Sequence, residues 1–109
     1  MNIKELIENT LKPLKIPVCF QVYNGTATTY ITYFRYNEQG EAWAENKEKA
    51  TGFYIQVDRW SKKDCSEIDE QIVSLMELAG FTRTTAQDLY EQDTKTFHKA
   101  MRFCYIQKQ

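Results

Sequence analysis

Residues Thr51 to Trp60 (TGFYIQVDRW) put Phe53, Ile55 and Val57 on one side of an extended chain and Tyr54, Gln56 and Asp58 on the other. One side is apolar and the other mixed, so this strand needs a sheet with a covering layer on one face. The cover follows at once in the chain. Ser61 is a good N-cap, with Asp64 close to a capping box, and Asp64, Glu67, Asp69 and Glu70 cluster where they complement the positive end of a helix. Cys65, Ile68, Ile72, Leu75, Met76 and Ala79 then form one apolar stripe, and Gly80 supplies the left-handed position that stops the helix.

The remaining elements fit around this couplet. Residues 2–12 read as a short helix, with Ile3, Leu6, Ile7 and Leu11 at helical spacing and Pro13 ending it. Val18 to Tyr23 is a strand. Asn24-Gly25 is a strong turn dipeptide, and Thr28 to Tyr36, dense in β-branched and aromatic residues, is the returning strand. Phe81 to Gln87 is a strand, Asp88 to Asp93 an acidic turn, and Phe97 to Gln107 a further strand. The order is α-β-β-loop-β-α-β-β. It predicts a single α+β domain over residues 1–109: a mainly antiparallel or mixed sheet with two helices packed on one face.

At 109 residues the chain supports one domain, and 42% hydrophobic residues are enough for a core. Fourteen basic side chains nearly balance fifteen acidic ones, and the net charge of −1 argues against a dedicated nucleic-acid binder. No stretch nears the roughly 20 apolar residues of a membrane span, and charges interrupt the first residues too often for a signal peptide. A cytosolic protein without a membrane partner is expected. Cys19, Cys65 and Cys104 form no CxxC pair and read as free, mostly buried thiols. With one histidine, His98, no histidine-rich metal site is expected.

Familiar chemistry is missing from the sequence. No phosphate-cradling glycine motif or nucleophile elbow occurs. The carboxylates fall on turns and a solvated helix face, where solubility and capping account for them. The aromatic strands lack the ribonucleoprotein motif, so they read as sheet core plus interface. No catalytic, cofactor-binding or metal-binding residue is assigned, no cofactor is expected, and the chain reads as a non-enzyme.

Residues 37–50 (NEQGEAWAENKEKA) are the polar interval, read as a long loop or a protruding hairpin. Its one large apolar residue, Trp43, stands among Glu41, Glu45, Lys47 and Glu48. These five residues are the candidate protein-interface loop, with Trp43 either tucked back onto the sheet or presented to a neighbour.

Four stretches carry a resemblance to a known family. They are Gly40-Glu41-Ala42 with Ala44-Glu45-Asn46; Tyr54 to Asp58 running into Trp60-Ser61-Lys62; Leu75-Met76 with Ala79 to Arg83; and Asp88 to Glu91 with Asp93-Thr94, then His98 to Phe103. From Gly40 to Ile106 the chain resembles the tail-component family of long-tailed bacteriophages, the tail terminator or tail completion proteins. The resemblance implies a structural virion protein that caps the tail tube, ends its polymerisation and docks the head. It implies a ring of copies of itself, usually a hexamer, contacting the major tail tube protein and a head-completion or connector protein. DNA would only pass through the lumen. The implied location is the cytoplasm of the bacterial host during assembly, then the head-proximal end of the virion tail. The alternatives are another head–tail connector or neck protein, and a small non-viral α+β binding module.

Overall fold

Helix α1 (Ile3–Leu11) begins where the Asn2 side chain accepts hydrogen bonds from the backbone N–H groups of Lys4 and Glu5. The computed structural model describes residues 2–44 and 47–108. A single 3-10 turn, Lys12–Leu14, carries Pro13 and leads to strand β1 (Val18–Phe20). Strands β2 (Tyr30–Ala44) and β3 (Lys47–Ser61) follow, then helix α2 (Ser66–Leu78) and strands β4 (Thr82–Glu91) and β5 (Thr96–Lys108). One five-stranded sheet runs β1-β2-β3-β5-β4. β1 lies parallel to β2, and every other pairing is antiparallel. The domain is α+β with a mixed sheet.

Both helices cover the same face. Ile3, Ile7 and Leu11 of α1 and Ile72 and Met76 of α2 share one core with Ile31, Tyr33, Phe53, Ile55, Val57, Met101 and Phe103. Ile68 and Leu75 pack against it. The period-2 face of β3 and the helical stripe of α2 therefore meet as their patterns demand. Burying each Ile or Met side chain contributes about 1.5–3 kcal/mol. Gly80 adopts φ 103° after α2, the left-handed stop.

Four expectations are corrected. β1 does not form a hairpin with β2. Gln21 turns the chain at φ 64°, its neighbour Val22 N–H bonds back to the Phe20 carbonyl, and the chain returns through residues 21–29 to run parallel. So short a crossover suffices because β1 spans only 3 residues. Asn24 and Gly25 lie inside this crossover, where Tyr23 stacks on Tyr30 with ring centroids 4.4 Å apart and its hydroxyl accepts the Ala27 N–H.

Ser61 is the end of β3 rather than a helix cap. It is fully buried, and its Oγ lies 3.0 Å from Thr29 Oγ1 and accepts the Lys63 N–H. Cys65 takes the cap position of α2 without a side-chain cap bond. The acidic turn is also shorter than expected: β4 continues to Glu91 because β5 pairs with it as far as Thr96. Of the three free thiols only Cys65 is buried, and Cys19 and Cys104 are partly exposed. Cys104 sits on β5 opposite Tyr54, on the face without helices.

Candidate assembly surface

Residues 37–44 and 47–50 are a hairpin, not a loop. The β2–β3 ladder continues to the pair Ala44↔Lys47, with register shifts at Tyr36, at Glu41 and between Ala42 and Trp43. The last core residue of β2 is Tyr33; of Arg35 to Ala44, all but the half-buried Gly40 are exposed. β5 supports β3 only as far as Ala50. The hairpin thus leaves the helical layer behind and gives the molecule a long dimension of 52 Å against 26 and 24 Å. Its polar composition follows from this, since no layer covers it.

Each face of this blade carries its own contacts. On one, Asn37 donates to Gln39 (2.9 Å) and Gln39 to Glu41 (3.1 Å), and the Tyr54 hydroxyl also donates to Glu41. The Glu41 carboxylate lies over Gly52, where a Cβ would meet its side chain. The bond to Glu41 raises the Tyr54 pKa above its ordinary value, with desolvation adding to it. On the other face Trp43 lies over Gly40: a Cβ there would come within 2.6 Å of both the indole and the Glu48 carboxylate. Glu48 accepts from Thr51 Oγ1 at 2.6 Å.

Of the five candidate interface residues, Glu41, Trp43, Lys47 and Glu48 lie near the end of the blade, with Glu41 on one face and Trp43 and Glu48 on the other, and Glu45 lies outside the described residues. Trp43 contacts the strand and still leaves 64% of its surface exposed. One edge of the indole rests on Gly40 while most of the ring faces outward.

Two clusters were not anticipated. Arg59 and Asp69 form a two-bonded ion pair at 2.7 and 2.6 Å, and Arg59 Nη1 also donates to the Phe97 carbonyl. The bond to Asp69 raises the Arg59 pKa further, against the opposing effect of burial. The strand alternation held a signal, because Arg59 continues the Phe53, Ile55, Val57 face and a charge there needs a partner. On the uncovered sheet face Trp60 stacks on His98 with centroids 3.8 Å apart, His98 Nε2 is 2.8 Å from Asp58 Oδ1, and Trp60 Nε1 donates to Thr32. These residues lie in register across β2, β3 and β5, a relation that no local pattern announces. The polar atoms of this cluster pair within it.

Among the described residues, no three His, Cys, Asp or Glu side chains converge as metal ligands, and no helix is long and apolar enough to cross a membrane. A groove of about 440 Å³ between α2 and β4 is bordered by Val73, Arg83, Ala86, Lys99 and Met101. A scan of the chain against protein-family models finds no match, and neither does a search of curated proteins.

Proposed function

We propose that this chain is a structural assembly subunit that closes into a ring and caps the tail tube of a long-tailed phage or prophage. The observation that carries the reading is the blade. A hairpin that adds only Ala50 to the buried apolar residues is nevertheless held in shape by Gln39, Glu41 and Tyr54 on one face and by Trp43 over Gly40 on the other. A large aromatic ring kept mostly in solvent on a shaped support is what an interface anchor needs before its partner arrives. The four stretches that resemble the tail-component family include Gly40 to Ala44 of the blade and the strand beside it (Tyr54 to Asp58). A near-neutral charge suits copies packed side by side around a DNA passage. The role needs no cofactor and no reaction.

Immunogold electron microscopy of virions from a strain carrying the gene tests the placement. Gold at the head-proximal end of the tail is expected. Gold at the portal side of the neck would turn the reading to a connector protein, and unlabelled virions would overturn it.

A further inference from the structure

The sheet ends in two open edges, and their properties match each other. β4 has β5 on one side and no strand on the other, and all 10 of its residues are exposed. β2 is covered by β1 only at Ile31, Thr32 and Tyr33, so its run from Phe34 to Ala44 also has a free side. A long open edge is a template for another strand, and monomeric proteins blunt such edges with short strands or covering loops. Among the described residues β4 has neither of these, and its edge is interrupted only by a bulge at Thr84 and the charges of Arg83, Asp88 and Glu91.

We infer that β4 of one copy pairs with the outer edge of β2, from Phe34 to Ala44, in the next copy, so that the sheet continues from subunit to subunit. Strand direction supports the pairing. β2 and β5 run one way, and β3 and β4 the other. A neighbour kept in the same orientation therefore offers its β2 antiparallel to β4, the more stable ladder. The two free runs are of similar length.

Leu89 and Tyr90, 40% and 49% exposed, gain cover near the Phe34 end. A contact that uses two different edges is heterologous and forms a ring when the rotation closes. Pairing β4 with β4 would leave the β2 edge open.

The inference rests on the assembly reading only in taking the partner to be another copy, and its test needs no virion. Gln87 of β4 and Asn37 and Gln39 of β2 are exposed and share the uncovered face. In purified chain carrying Cys19→Ser and Cys104→Ser, Gln87→Cys combined with Asn37→Cys or Gln39→Cys should give a reducible ladder of multimers under mild oxidation. Each cysteine alone should give monomer. A covalent dimer from Gln87→Cys alone would mean that β4 pairs with itself and would overturn the inference. So would multimers by light scattering without a ladder, or a chain that stays monomeric at millimolar concentration.

The unmodified chain supplies an independent check. Its amides in residues 34–44 and 82–91 should gain protection from hydrogen exchange as concentration rises, and exchange independent of concentration would count against the pairing. A ladder together with unlabelled tails would keep the pairing and remove the virion role. Labelled tail ends without a ladder would do the reverse.

Discussion

Arg59 at the end of β3 holds Asp69 in the first turn of α2 through two parallel hydrogen bonds, with the two side chains only 4% and 12% exposed. Ridges and stripes set how far α2 lies from the sheet, but this pair fixes its position along the strand. A guanidinium buried this deeply tolerates no loss of its partner. Asp69→Ala should cost about 3–5 kcal/mol, most of it the uncompensated charge. Urea unfolding of the variant and of Asp69→Ala/Arg59→Met measures this, and the double variant should recover a large part of the loss.

Ile72 is fully buried between α2 and the Ile55–Val57 face. Ile72→Ala should cost about 2–5 kcal/mol by chemical denaturation. A cost below about 0.5 kcal/mol would be inconsistent with the helix covering this face.

These core positions were legible in the sequence because two simple periods, 2 and 3.6, name them without help from the rest of the fold. The parallel pairing of β1 was not. The stretch from Val18 to Gly25 has the local signature of a hairpin, and its outcome is set by the left-handed turn at Gln21 and by the return path beside Tyr30. The candidate interface residues were legible as an odd apolar residue in a polar interval. Their partners were not, since the Glu41–Tyr54 contact depends on a register displaced by bulges at Tyr36 and Glu41. Arg59 could be placed on the core face by counting, while Asp69 as its partner needs the three-dimensional fold.

The blade can be removed with little effect on the core. Deleting residues 41–48 takes away strand beyond the reach of the helices and of most of β5. The melting temperature should change little, while ring formation is lost and a complementation assay yields overlong or headless tails. A large drop in melting temperature would assign Trp43 to the core, and normal virions would remove the hairpin from assembly.

Alkaline pH should weaken the fold through Tyr33. Its hydroxyl is buried and donates to Glu8, and burial first, then that carboxylate, raise its pKa well above the ordinary value. The folded chain therefore holds this proton more tightly than the unfolded chain. The resulting stability is complete below about pH 10, the unfolded value, and declines as pH climbs toward the folded one. Tyr33→Phe should show a shallower fall in melting temperature across that range, and an equal fall in both proteins would rule out the link.

The thiols should differ in reactivity. Cys65, 6% exposed, should resist a thiol reagent until the chain unfolds, while Cys19 reacts in the folded protein. Burial raises the Cys104 pKa, which should make it slower than an ordinary thiol. Rapid labelling of Cys65 in the folded chain would contradict its burial, with the thiol donating to Ser61 Oγ at 3.2 Å.

The strand order also sets a timetable for biogenesis. β5 is the fifth strand to leave the ribosome, yet it takes an interior place between β3 and β4. Until it is made, the 15-residue β3 keeps an open edge and β4 has no partner at all. Nascent chains stalled before Thr96 would expose Ile55 and Val57 beside that edge, a natural substrate for a holding chaperone. Completion of one strand then closes both gaps together, joining β4 to the β2–β3 hairpin made earlier in one late step.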